Sequence, residues 1–384
     1  MPKSRLDKID SEMLAPFVQK ALGGRRVEIT EWQCRTLKGD GTLAKRLVCR
    51  LLGRARLGED ETTWSIILKV PNPTPTHLDA WHREPFQREP LLYESGLLDA
   101  LPGRLCAPRC LGVVEHADDE PWMWLEDVVG LPALEWPLER FGAAAYDLGV
   151  LQGAFLAGEP LPDVPWLDTT AWLHEKLAAN AEPIPAVMER LAAHPLTRGL
   201  WQSRVGERVT RLWAGRAPFF DALSRVPRSL CHGDFNYTNL LARRSDRAEE
   251  QTVAVDWQYA GVRQMGGDIA GIIADSSILP VRRKAAEPEE FTELMLGGYL
   301  AGLRDAEWAG EPAIARFACI ARLALPWSFN LLRSLDGQAR RQSLCEDSRP
   351  RFQEHLAQYV RRQEFLLELA EEARALLPCV LEAG

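Results

Sequence analysis

The chain has 384 residues, too many for one small core and enough for two domains or one bilobal unit. Hydrophobic residues make up 46% and charged residues 26%, the balance of a soluble globular protein that can bury a sizeable core. A net charge of −8 argues against a general binder of nucleic acid or anionic membranes, because both partners need a basic surface; it is compatible with a cationic small molecule without requiring one.

Leu14, Phe17, Val18, Ala21 and Leu22 share one helical face within Ser11 to Leu22, and Gly23-Gly24 is a stop signal, so an amphipathic helix opens the chain. Val27 to Leu37 and Leu47 to Leu52 carry β-type residues around the turn Lys38-Gly39-Asp40-Gly41-Thr42. Thr62 to Val70 alternates into Ile66-Ile67-Leu68 and then meets Lys69, which taken alone reads as a snorkelling strand-end residue. Leu111 to Glu115 and Trp122 to Leu125 are two more strands, with the acidic turn His116 to Glu120 between them. From Leu138 the periodicity is helical to the end, apart from central hairpins. Residues 158 to 166 form a proline-rich loop, Thr170 to Phe220 gives two or three helices, and Arg204 to Leu223 reads as one helix. Arg282 to Glu293 is a mixed-charge, solvated stretch.

The chemistry concentrates in His232-Gly233-Asp234-Phe235-Asn236-Tyr237-Thr238-Asn239, a polar loop leaving a short apolar run. Leu240-Leu241-Ala242 and Thr252 to Val255 read as strands around the charged turn Arg243 to Gln251, so the chain returns Asp256 beside the loop that carries Asp234 and Asn239. Two carboxylates and a carboxamide then converge. That set suits oxygen-liganded Mg²⁺ with a third group left to accept a proton.

These residues carry a resemblance. HGDxxxxN from His232 to Asn239, a strand ending in Asp256, and Gly266-Gly267-Asp268-Ile269-Ala270, in that order, resemble the phosphotransferase superfamily of aminoglycoside phosphotransferases, choline kinases and related small-molecule kinases. The resemblance implies a bilobal, protein-kinase-like α+β fold, with an antiparallel β-sheet lobe over residues 1–127 and a mostly helical lobe over residues 128–384. It implies an ATP- and Mg²⁺-dependent kinase with a small-molecule hydroxyl acceptor. Asp234 would be the catalytic base, and Asn239 and Asp256 the metal ligands. Lys69 would grip the α and β phosphates, with Glu89 from a helix similar to the family's RExxxY segment as its partner and Glu84 as the alternative. The hairpin with Gly39 and Gly41 would cover the phosphates, and the backbone around Glu126 and Val128 would meet the adenine. His232 would support the loop and Asp268 brace it, although an acidic residue opening an apolar helix is also a simple N-cap. Gln152 stands where the family often has histidine, and Asn236 and Thr238 where it often has histidine and glycine.

The acceptor pocket would draw on Asp275, Glu287, Glu290, Glu293 and the segment with Trp327 and Arg333. Acidic groups near aromatics suit an amine, whereas Arg333 suits an acidic or sugar acceptor. The alternative function is a non-catalytic, nucleotide-binding relative acting as a regulatory module; a metal-dependent hydrolase built on His232, Asp234 and Asp256 is a third reading. The eight cysteines have no paired CxxC framework and are expected as reduced, mostly buried thiols. No apolar run nears the ~20 residues of a membrane span, and Met1 to Asp7 has no hydrophobic signal core, so a cytoplasmic location is expected.

Overall fold

A computed structural model describes residues 6, 9–38, 46–71, 80–116, 120–169, 184–201, 203–244, 250–275, 287–342 and 349–382. In chain order, the elements are α1 (Ser11–Ala21), β1 (Glu28–Lys38), β2 (Arg46–Leu57), β3 (Asp60–Pro71), α2 (Ala80–Glu94), β4 (Leu105–Cys106), β5 (Cys110–His116), β6 (Glu120–Glu126) and β7 (Leu131–Pro132). There follow α3 (Leu138–Leu156), α4 (Ile184–Ala193), α5 (Arg204–Ala214), α6 (Ala217–Arg225), β8 (Arg228–Cys231), β9 (Leu240–Arg244), β10 (Glu250–Ala254), β11 (Gly261–Gln264), α7 (Gly267–Ile273), α8 (Pro288–Asp305), α9 (Pro312–Gln342) and α10 (Arg349–Glu382). The chain divides into two compact units. One is Met1–Pro132 with Asn239–Ala260; the other is Ala133–Thr238 with Gly261–Gly384. The class is α+β, an antiparallel sheet towards the N-terminus and helices towards the C-terminus.

The first unit is built on the five-stranded antiparallel sheet β1-β2-β3-β6-β5. Alternation decides its faces: Leu47, Cys49 and Leu51 of β2 and Trp64, Ile66, Leu68 and Val70 of β3 are buried in one cluster, so Lys69 falls on the other face. Helix α1 closes the apolar side with Leu14, Phe17 and Val18. It starts where Asp10 Oδ1 accepts from the Met13 amide at 2.8 Å, an N-cap that satisfies one of the helix's orphan donors. Phe17 stacks on Trp124 with ring centroids 4.5 Å apart. Strand β2 runs on to Leu57, past the expected Leu52, because Gly58 at φ 69° makes a tight turn directly into β3. A second sheet, β4-β10-β9-β7, holds the expected central hairpin; its strands extend through Arg244 and from Glu250, into what the sequence suggested was turn. Gly39 and Gly41 lie outside the described residues.

The second unit is mostly helical. Helices α3 and α8 approach closely along glycines: a Cβ on Gly149 would lie 2.2 Å from the Tyr299 carbonyl oxygen, and one on Gly302 2.2 Å from that of Tyr146. Arg316 of α9 joins Glu293 of α8, at 2.7 Å, to Glu372 of α10. The single helix expected over Arg204 to Leu223 is instead two. α5 ends at the C-cap Gly215, whose amide donates to Arg211 O at 2.9 Å, and α6 begins with Pro218 in its first turn, where a proline costs no hydrogen bond. Strands β8 and β11 pair antiparallel and frame the loop that follows β8. The seven described cysteines are free thiols. Three are buried, three half-buried and Cys379 exposed, so they are less uniformly buried than expected. Among the described residues no helix is long and apolar enough to cross a membrane.

Candidate active site

In the first unit, three charged side chains meet with little access to water. Lys69 on β3 donates from Nζ to Asp256 Oδ1 at 2.7 Å and to Glu89 Oε2 on α2. Their residues are 7%, 9% and 2% exposed, so one buried cation sits between two buried anions, an arrangement that is costly to break. Glu89 also accepts from the Trp257 amide at 3.1 Å, tying α2 to the residue after Asp256. Helix α2 is continuous through Pro85 and Pro90, so the awkward Pro90 does not end it. Of the two candidate glutamates, Glu89 meets Lys69; the side chain of Glu84 lies outside the described residues.

Asp256 has φ 70°, a left-handed backbone that aspartate tolerates better than most residues, just after β10 ends. The Val255 amide donates to Asn239 O at 2.9 Å, so the hairpin returns Asp256 to the start of β9. Asn239 and Asp256 supply one carboxamide and one carboxylate. That oxygen donor set fits Mg²⁺, which commonly takes one or two protein ligands and fills its remaining positions with phosphate oxygens and water. Among the described residues no three of His, Cys, Asp and Glu are grouped as a metal site.

The segment read as adenine-binding is strongly anchored. Glu126 accepts from Arg243 Nη1 at 2.9 Å and from the Arg109 amide at 3.0 Å, and Asp127 pairs with Arg50 at 2.8 Å and accepts from Ser65. Val128 is half-buried and Val129 is exposed.

In the second unit, the loop after β8 hangs on Asp268. Its Oδ2 accepts from the His232 amide at 2.9 Å and its Oδ1 from the Gly233 amide at 2.8 Å. Asp268 lies inside α7, whose N-cap is Gly266, so its carboxylate serves the loop and not its own helix end. His232 is fully buried, and its Nδ1 accepts from the Asp234 amide at 3.3 Å. Asn236 donates to Asp234 Oδ1 at 2.9 Å and accepts from the Thr238 amide and hydroxyl at 2.9 and 2.6 Å. One carboxamide thereby orients Asp234 and closes the loop behind it.

Gln152 of α3 is the residue whose role the sequence did not reveal. It is buried, donates to Asp268 Oδ2 and Leu230 O at 3.3 Å each, and accepts from the Tyr299 hydroxyl. A lone polar residue within the apolar run Gly149 to Leu156 is a signal for such a buried hydrogen-bonding post. Tyr299 left no comparable trace.

Burial first, and the charge of Asp234 second, push the Asp275 carboxyl up to about 6. Glu293 is taken up by Arg316, whose hydrogen bond holds its carboxyl below the ordinary value. Glu287 and Glu290 are exposed, and Trp327 is half-buried on α9. Arg333, also half-buried, donates to Asn330 Oδ1 at 3.0 Å.

The phosphotransferase enzyme family model matches residues 54–317. The chain therefore belongs to the phosphotransferase enzyme family, and by family it is a phosphotransferase. Among solved structures it is similar to the amicoumacin kinase hAmiN in complex with AMP-PNP, Ca²⁺ and Ami (14% identity, TM-score 0.48, covering 96% of each chain). It is also similar to a choline kinase from Cryptosporidium parvum Iowa II (12%, 0.48, 96% of this chain and 98% of that one). A third is an aminoglycoside phosphotransferase from Alicyclobacillus acidocaldarius (15%, 0.48, 93% and 96%). No curated protein matches the chain.

Proposed function

We propose that the chain is an ATP- and Mg²⁺-dependent kinase that transfers the γ-phosphoryl group to a hydroxyl of a small metabolite or aminoglycoside-like acceptor. The observation that carries this reading is the buried Lys69–Glu89–Asp256 group, an arrangement suited to gripping nucleotide phosphates through a lysine of fixed position. Lys69 holds the α and β phosphates, and the Glu126–Val128 backbone receives the adenine. Asn239 and Asp256 are the protein ligands for Mg²⁺, which when bound neutralises charge on the phosphate oxygens.

Asp234, oriented by Asn236, accepts a hydrogen bond from the acceptor hydroxyl and takes its proton as the oxygen bonds to the γ-phosphorus. The bond from that phosphorus to the bridging β–γ oxygen breaks, and ADP leaves with the electron pair. Asp268 and Gln152 act by positioning: they fix the loop so that Asp234 is placed before substrate arrives. Asp275 gives the acceptor side a carboxyl beside Asp234, which favours an aminated acceptor.

The test is incubation with Mg-ATP across aminoglycosides, macrolides, amino alcohols, amino sugars and neutral sugars, followed by ³¹P NMR. A new phosphomonoester from one acceptor class supports the proposal and identifies the acceptor. Tight ATP binding with no product from any class supports the non-catalytic module instead.

A further inference from the structure

Tyr299 of α8 is fully buried, and its hydroxyl donates to Gln152 Oε1 on α3. The helix seam brings the two together. A Cβ on Gly149 would lie 2.2 Å from the Tyr299 carbonyl oxygen, so the backbone at Tyr299 rests against α3 one turn before Gln152. Gly298 meets the carbonyl oxygen of Gly142 in the same way, also at 2.2 Å. No side chain separates the backbones at these points, so main-chain contact carries the phenol to Gln152.

The surroundings of Gln152 make this bond directional. Its Nε2 faces two acceptors, Leu230 O and Asp268 Oδ2, at 3.3 Å each. A carboxamide offers donors on one branch and an acceptor on the other, so Oε1 points away from them and needs a donor of its own. Gln152 is 1% exposed, and among the described residues it is Tyr299 that supplies this donor. A flipped carboxamide would set its oxygen against a carboxylate and a carbonyl and its NH₂ against the phenol proton. The hydroxyl therefore locks the orientation that Asp268 requires, and by polarising the amide it strengthens the bond that Gln152 gives to Asp268. Asp268 in turn holds the His232 and Gly233 amides, and His232 Nδ1 accepts from the Asp234 amide.

We infer that Tyr299 is a positioning residue: through Gln152 and Asp268, its hydroxyl fixes the loop from His232 to Asp234 and so the placement of Asp234. Its effect on turnover rests on the role proposed for Asp234; its hold on the loop does not.

Hydrogen–deuterium exchange of the whole chain, read by mass spectrometry over residues 229–239, tests that hold in the native protein, Tyr299→Phe, Gln152→Met, the double variant and Tyr146→Phe. Phenylalanine keeps the ring and removes only the donor. Exchange over the loop should be about tenfold faster in Tyr299→Phe, while that of α5 stays within about twofold. Gln152→Met should loosen the loop at least as much, and the double variant should match it, because Tyr299 acts through Gln152. The Tyr146 hydroxyl crosses the same seam to Asp305 Oδ2 at 3.0 Å and not to Gln152, so Tyr146→Phe should leave the loop as in the native protein. In coupled ADP release with Mg-ATP and the acceptor that ³¹P NMR identifies, kcat of Tyr299→Phe should fall about tenfold, with KM for ATP within about twofold. Unchanged loop exchange or unchanged kcat in Tyr299→Phe would overturn the inference. So would additive loosening in the double variant, exchange that rises equally in α5, or an equal effect of Tyr146→Phe, since each makes Tyr299 an ordinary packing residue. A native protein that turns over no acceptor, while its loop loosens in Tyr299→Phe, would count against Asp234 as the base and uphold the hold of Tyr299 on the loop.

Discussion

Lys69 is held between two buried acids, and this makes it a stability residue as well as a site residue. Lys69→Met would leave Glu89 and Asp256 buried without their cation, at a cost of about 3–5 kcal/mol. Urea unfolding measures that loss, and adding Glu89→Gln to the same protein should return part of it, because one stranded charge is removed. Asp275 makes a pH prediction. Its folded-state value, about 6, lies above the ordinary 3.8, so between those values the folded chain holds a proton that the unfolded chain has released. Stability from this group is full below about pH 4 and is lost as pH rises through 6. Discounted for partial exposure, the loss is about 1 kcal/mol. Asp275→Asn should flatten it in denaturation curves taken from pH 4 to 7; an unchanged slope would remove Asp275 as its source. At this scale, the loop from His232 to Asn239 was legible because its residue types and spacing are set by chemistry. Gln152 was legible only as a polar interruption of the apolar run Gly149 to Leu156, which marks it as buried but does not say that its partner is Asp268.

Among elements, the sheet was the most readable part. Alternation along β3 separates Trp64, Ile66, Leu68 and Val70 from Lys69 without any knowledge of the partner strands. The break between α5 and α6 was written in Gly215 and Pro218, but apolar spacing across it suggested one helix. Strands β8 and β11 are four residues each, and they pair across some thirty residues of chain, out of reach of any local pattern. The α3–α8 seam is a backbone approach, so any side chain there must push the helices apart. Gly149→Leu is therefore expected to destabilise the chain by about 2 kcal/mol or more, read as a lower melting temperature, whereas the same change at Gly297, which has nothing within 4 Å, should be nearly silent.

For the molecule as a whole, the two units interleave along the sequence. Asn239–Ala260 belongs with the N-terminal residues although it follows the loop that carries Asp234. A sequence reading that divides the chain once, near residue 127, has no way to register this, because the grouping of that hairpin comes from long-range pairing such as β10 with β4. The assignment of chemistry to Asp234 and of nucleotide binding to Lys69, Glu89 and Asp256 puts the two tasks on different units. They should be separable by mutation. The most direct measurement is coupled ADP release with Mg-ATP and an accepted substrate, comparing the native protein with Asp234→Ala, alongside ATP binding by calorimetry. Turnover should fall by at least about 10²–10³-fold while ATP affinity stays within a few-fold. Undiminished turnover in Asp234→Ala would contradict that assignment.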